Sequence, residues 1–170
     1  MIAVPARLHR YRWLLGLALG VFALDQATKL WIAAALPFNT YGAPGHIELV
    51  PGFFNLVHVG NTGAAWSLLS GQSTLLALLA LVTLAVIFFC RRHLALEQLP
   101  VQICFGLLCG GIAGHLLDRL VYGHVVDFLD FHFGRFGAYP TFNVADSGIV
   151  CGVILYILFT LRSPAPAETA

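Results

Sequence analysis

Charge is scarce in this sequence: 10% of its 170 residues are Asp, Glu, Lys or Arg, where a soluble domain carries roughly 25%. Water is therefore not the main solvent for this chain. Nine basic residues against eight acidic ones leave a net charge of +1, too little to hold nucleic acid, and no basic stripe follows a soluble face. Cysteines are few, and none pairs as C-x-x-C. Cys90, Cys104, Cys109 and Cys151 each sit in an apolar stretch, which argues against a disulfide or zinc framework and for small packing residues. No internal repeat is evident. What the chain has in quantity is apolar surface: 59% of residues are hydrophobic and mean hydropathy is +0.84. The length fits one domain, a bundle of a few helices with little mass outside a bilayer.

A helix that crosses a membrane needs about 20 mainly apolar residues. Four segments qualify, at about 13–35, 73–90, 100–117 and 145–161. Trp13 and Trp31 lie near the ends of the first, where amphipathic rings prefer the interface. Arg91-Arg92-His93 stops the second, Asp118-Arg119 closes the third and Arg162 ends the fourth. The expected fold is an all-α integral membrane protein, with residues 1–162 forming a single domain of four transmembrane helices. Loops at about 36–72 and 118–144 lie on one side, and a disordered tail covers 163–170.

The distribution of basic residues orients this bundle. With four spans, Arg7, Arg10, Arg12, Arg91, Arg92 and Arg162 fall on one side and only Arg119 and Arg135 on the other. Positive charge is retained inside, so both termini are expected in the cytoplasm and both loops in the periplasm. The first segment has a rival reading as a cleaved signal peptide, since Ala33-Ala34-Ala35 resembles a cleavage site after a basic start. Its apolar run is long for that role and is interrupted by Asp25 and Lys29, so a retained helix is expected. Within the first loop, Ile47 to Val50 and Phe53 to Val59 are bounded by Pro-Gly and Gly-Asn, which predicts short strands. The second loop is rich in Phe and Tyr and is expected to lie on the bilayer surface.

Ionisable groups at membrane depth cost about 2.5–3.5 kcal/mol each on insertion scales, so they point to function or to pairing. Asp25 and Lys29 have i,i+4 spacing on one helix face. A structural ion pair is the favoured role, because the lysine would keep the carboxylate ionised. Asp118 and Arg119, at a helix end, either reach for the interface or bind substrate. Asp127 stands inside the apolar run His124 to Leu129, where burial raises a carboxyl pKa; Asp130, in the same loop, is an alternative. Asp146 follows Asn143 by three residues, a variant of the capping box. Two carboxylates in such different settings can divide acid and base roles between them. Competing metal chemistry would use His115, Asp118, His124, Asp127 and His132, but H-E-x-x-H is absent and the donors are scattered. Ser67 and Ser147 lack a base arranged for nucleophilic work.

Five motifs, in order, resemble one known family. They are Leu24-Asp25-Gln26-Ala27-Thr28-Lys29, Asn61-Thr62-Gly63-Ala64-Ala65-Trp66-Ser67, Gly110 to Arg119 (GGIAGHLLDR), Val125-Val126-Asp127-Phe128 and Phe142-Asn143-Val144-Ala145-Asp146-Ser147. This order is similar to that of lipoprotein signal peptidase (signal peptidase II), and the likeness spans nearly the whole chain from first to last apolar segment. The resemblance implies a bacterial inner-membrane aspartic endopeptidase, working at the periplasmic face without cofactor or metal. It would remove signal peptides from prolipoproteins by cutting before a diacylglyceryl-modified cysteine. It also implies that Asp127 and Asp146 are the catalytic pair, that Asn61, Arg119 and Asn143 line the site, and that Asp25, Lys29 and Asp118 support it. One departure stands out: the family usually has Asn where this chain has His115, which adds bulk and a possible charge near neutral pH.

The expected partners are lipid-modified prolipoproteins and membrane lipid, with no nucleic acid, and the chain is expected to act as a monomer. A different class of reading is a small transporter or proton channel built on Asp25 and Lys29, although such sites typically lie near the midplane on broken helices. A third is a membrane scaffold without catalysis.

Overall fold

In the computed structural model, residues 10–41 and 44–162 are described. The tail at 163–170 and Arg7 lie outside them. Among the described residues are four α-helices and three strands, with two short 3-10 turns at Ala65–Ser67 and Gly134–Phe136: α1 (Arg12–Ala35), β1 (Ile47–Val50), β2 (Phe54–Asn61), α2 (Ser73–Phe89), α3 (Leu99–Tyr122), β3 (Val125–Phe131) and α4 (Val144–Arg162). By length and composition, α1, α3 and α4 can each cross a membrane, while α2 is a shorter apolar helix.

Local sequence explains the helix ends. Leu36 precedes Pro37, whose ring disfavours helical backbone in the residue before it, and Leu36 is extended at φ −125° and ψ 139°. Pro100 sits in the first turn of α3, where a missing N–H is harmless. The far end of α3 runs past Asp118-Arg119 to Tyr122, one turn longer than the sequence predicts. Gly123 stops it at φ 74°, its N–H bonding to the Arg119 carbonyl at 3.2 Å.

Small residues set how the helices pack. A Cβ on Gly106 would meet Leu14, one on Gly110 would lie 2.6 Å from the Ala18 carbonyl oxygen, and one on Gly114 would strike the Asp25 carboxylate. These glycines recur every fourth residue, so one face of α3 lies against α1 with the two chains running in the same direction. Gly111 meets Ala145, and Gly152 meets Cys104 and Leu108, so α4 packs antiparallel to α3. Close approach through small residues is the usual route where lipid removes the hydrophobic drive between helices. Half of the apolar window of α3 is buried, against 17% in α1 and in α4, which makes α3 the central helix. Outward, Leu78, Leu79, Val82, Phe89, Val150 and Ile154 are exposed, while Asp25, Lys29 and Asp118 are buried. That inversion suits a lipid solvent.

At one end of the bundle, Tyr11, Leu14, Tyr156 and Phe159 pack around Ile87, Leu96, Val101, Cys104 and Phe105. The opposite end carries the sheet, antiparallel in the order β1-β2-β3. Both strands expected from the first loop are present, and the second runs on to Asn61. The third was not foreseen. Val126 and Phe128 of β3 pack on Ile32 of α1 and on Leu36 just beyond it, so the alternate residues Val125 and Asp127 face the other way.

Candidate active site

The sheet determines where Asp127 points. In β3 it pairs across from Val59, while Asp130 pairs across from Asn55. Three residues apart on a strand, the two aspartates project to opposite faces. Asp127 borders a cleft of about 1010 Å³, together with Asn61, His115, Arg119 and Asp146. Asp130 instead takes His132 Nε2 at 2.7 Å and Asn55 Nδ2 at 3.4 Å, and is 2% exposed. His124 turns away from Asp127 too, packing its ring against Phe38 and Tyr122. Asp118 faces the bundle interior rather than the cleft. The donor pairs considered for a metal are thus split between surfaces.

Asp146 arrives from the other direction. Leu129 forms an isolated bridge with Phe142, which pins the segment before α4 against β3. Asn143 follows immediately and opens the helix. Its backbone N–H donates to Asp146 Oδ2 at 3.1 Å, and the Asp146 N–H donates back to Asn143 Oδ1 at 3.0 Å. This is a reciprocal capping box. It also places a carboxylate at a helix N-terminus, where negative charge is favoured.

Asn143 has a second task. It is fully buried, and its Nδ2 donates to Asp127 Oδ1 at 2.7 Å and to the Val126 carbonyl at 3.2 Å. One amide therefore ties the two acids together, its oxygen end at Asp146 and its nitrogen end at Asp127. Asn61 Nδ2 donates to Asp127 Oδ2 at 3.0 Å. Asp127 is 3% exposed. Burial is the main reason its carboxyl is pushed up to about 7, and the nearby negative charge of Asp146 adds to this. The hydrogen bonds from Asn61 and Asn143 and the charge of His115 pull in the other direction. The side chain of Asp146 is 36% exposed, so the two carboxyls have unlike surroundings in one cleft.

Arg119 and Asn61 are joined through Gly63. The Gly63 N–H donates to Asn61 Oδ1 at 2.9 Å, and Arg119 Nη2 donates to the Gly63 carbonyl at 2.9 Å. The buried Arg119 Nε has no hydrogen-bond partner among the described residues. His115 Nε2 lies 3.2 Å from Asn143 Oδ1 and 3.4 Å from Asp146 Oδ1.

Behind the cleft is a second acidic cluster. Lys29 Nζ sits 2.7 Å from Asp25 Oδ2 and 2.6 Å from Asp118 Oδ2, with the three residues 3%, 0% and 0% exposed. Asp118 also takes Gln26 Nε2 at 2.9 Å and the Val126 N–H at 3.4 Å. Asp25 Oδ1 accepts the Ala145 N–H at 2.9 Å. This cluster binds α1, α3, β3 and the first turn of α4 into one frame, and so holds both Asp127 and Asp146 from behind. The expected Asp25–Lys29 pair is there, with Asp118 as a third member; Asp118 neither reaches for the interface nor meets the cleft. Gln26, which bridges Asp118 and Asp25, was missed as a contributor. It lies in a quoted motif next to Asp25, but an amide beside a charged pair gives no periodic signal.

The comparisons with known proteins agree with one another. The family model for signal peptidase (SPase) II matches residues 17–162. The lipoprotein signal peptidase of Aeromonas hydrophila is 44% identical over 156 residues, covering 89% of each chain. That of Tolumonas auensis is 42% identical over 153 residues, covering 88% of each. A bacterial membrane enzyme solved by the in meso method at 2.3 Å resolution superposes with a TM-score of 0.77 at 33% identity, over 91% of this chain and 90% of the other. Another, at 1.9 Å, gives 0.73 at 34% identity, over 87% and 92%. Taken with the apolar helices and the matched motifs, these likenesses place the chain in the signal peptidase II family, a family of membrane peptidases.

Proposed function

We propose that this protein is an intramembrane aspartic endopeptidase that releases signal peptides from prolipoproteins by cutting before a diacylglyceryl-modified cysteine. It works in the bacterial inner membrane with four crossings, both termini in the cytoplasm and the cleft at the periplasmic face. It acts as a monomer and needs no cofactor. The observation that carries the reading is the pairing of Asp127 and Asp146 on one cleft through Asn143.

In the resting state, Asp146 is the carboxylate and Asp127 the acid. Asp146 takes a proton from water, and the resulting hydroxide attacks the scissile carbonyl carbon. Arg119 Nε–H donates to a substrate carbonyl. As the tetrahedral species collapses, the C–N bond breaks and Asp127 gives its proton to the departing cysteine amine. This leaves Asp146 protonated and Asp127 charged, and a proton passing from Asp146 to Asp127 by way of solvent restores the pair. The acyl chains keep the substrate in the outer leaflet, so binding them tightly is not required to concentrate it.

The transporter reading needs Asp25 and Lys29 on a pathway. They are 0% and 3% exposed and held by Asp118 and the Ala145 N–H, a closed arrangement that does not favour it. The deciding experiment is cleavage of a lipid-modified precursor by purified protein. Asp127→Asn and Asp146→Asn are each expected to lower the rate about 10⁴-fold, the upper range for loss of a general acid or base, while unfolding cooperatively. Normal processing by either variant would end the proposal.

A further inference from the structure

The cleft contains a third titratable side chain that the two-aspartate chemistry leaves without a task. His115 projects from α3, and its side chain is 13% exposed. Its Nε2 is 3.2 Å from Asn143 Oδ1, and that oxygen is fixed as an acceptor because Asn143 Nδ2 is committed to Asp127 Oδ1 and the Val126 carbonyl. The second neighbour of Nε2, at 3.4 Å, is Asp146 Oδ1. Both neighbours are acceptors, so Nε2 must carry hydrogen. Two forms satisfy this, the neutral Nε2–H ring and the cation. An imidazole changes between them across the pH range in which a bacterium lives.

We propose that His115 is a positioning residue whose protonation holds Asp146 in its carboxylate form, so that cleavage persists to lower pH than the two aspartates alone would allow. The inference deepens the proposed function and rests on Asp146 as the base. Its physical cause is the charge that appears 3.4 Å from Asp146 when the ring is protonated. Other charged groups share the cleft with the ring, Arg119 on its own helix and Asp127 from β3, while Asp25, Lys29 and Asp118 pair with one another behind it. The Arg119 guanidinium keeps its charge throughout, so it offsets the baseline without producing a pH response. The ring's charge also acts on Asp127, pulling its carboxyl pKa down against the effect of burial. An asparagine at this position could keep a donor to Asn143 Oδ1 but would bring no charge.

The test is the pH profile of kcat/KM on a lipid-modified precursor, measured with the full-length protein in lipid nanodiscs. His115→Asn is expected to move the acid limb up by about one pH unit, a typical effect of losing a close opposite charge. Near the foot of the wild-type plateau that is about a tenfold loss. The alkaline limb is expected to move in the same direction, because the ring's charge also holds the Asp127 pKa down. His115→Gln serves as a second variant with a different reach. An acid limb that stays in place or moves down in folded variants would overturn the inference.

A measurement on the wild type covers the case in which neither variant folds. Nitrogen-15 NMR of the neutral ring is expected to report hydrogen on Nε2, and hydrogen on Nδ1 would overturn the inference. Asp146→Asn separates the two layers of argument. If it still cleaves, the dyad reading fails and this one falls with it. If it is inactive while His115→Asn keeps the wild-type acid limb, the dyad stands and only the role of His115 is lost.

Discussion

Two pairs of aspartates lie within the same end of the bundle, and they have been given opposite fates. Asp25 and Asp118 are fully buried with Lys29 between them, close to both. Their charges are answered and their oxygens occupied by Gln26, Val126 and Ala145. Asp127 and Asp146 have no lysine bridging them among the described residues, and His115 stands beside Asp146. Their shared partner is the neutral amide of Asn143, and they border an open cleft. On the proposed function, the difference teaches that the counter-charge, rather than the acid, separates structure from chemistry. A lysine pairs with both carboxylates at once, whereas a neutral amide ties two carboxyls together without answering their charge.

Three changes would break or sharpen that contrast. Lys29→Met is expected to have the largest effect. It strands two buried carboxylates, and losing one partner of a buried ion pair typically costs 3–5 kcal/mol. Thermal unfolding in detergent would measure it, and a variant as stable as wild type would remove the contrast.

Asp127→Asn is expected to act in the opposite sense on stability. The carboxyl titrates at about 7 in the folded protein and near 3.8 when unperturbed. The folded state therefore binds a proton more strongly, and stability contributed by Asp127 is present below about pH 4 and lost as pH rises to about 7. Removing the charge should stabilise the protein by roughly 1–3 kcal/mol above pH 7, after allowing for a lost hydrogen bond. The gain should fade toward pH 4. Denaturation curves at several pH values would show it, and a pH-independent difference would contradict it.

Asn61→Ala is the subtlest. Asn61 donates to Asp127 and pulls its pKa down. Its loss should move the alkaline limb of cleavage up by about one pH unit or less, with a several-fold fall in rate, since a typical hydrogen bond is worth about 0.5–1.5 kcal/mol net. A shift down would show that Asn61 serves the neutral acid instead.

Much of the site was legible in the chain because the signals were local. The i,i+4 spacing of Asp25 and Lys29 gives a pair on any helix, and Asn143 three residues before Asp146 gives a cap on any helix start; both are present. The strand carrying Asp127 was not seen. Val125 to Phe131 alternates weakly, and the residues on both of its faces are largely buried, which blurs a period of two. The choice between Asp127 and Asp130 could not be made from spacing alone. It depended on which face of β3 met α1, and only Ile32 and Leu36 decided that.

Sequence by itself determined the solvent. A chain this apolar, with so few charges, must place its helices in lipid, because hydrophobic composition adds up residue by residue and needs no partner to be read. It also named the ionisable residues worth explaining. Tertiary structure alone decided which acids meet. Asp25 and Asp118 are 93 positions apart and Asp127 and Asp146 are 19 apart, and the longer separation became the tighter cluster. Glycine contacts along α3 brought α1 close enough for Lys29 to reach Asp118, while the bridge from Leu129 to Phe142 set Asn143 between the other two. Such encounters depend on packing across the bundle, and packing is a property of the surfaces that fold together.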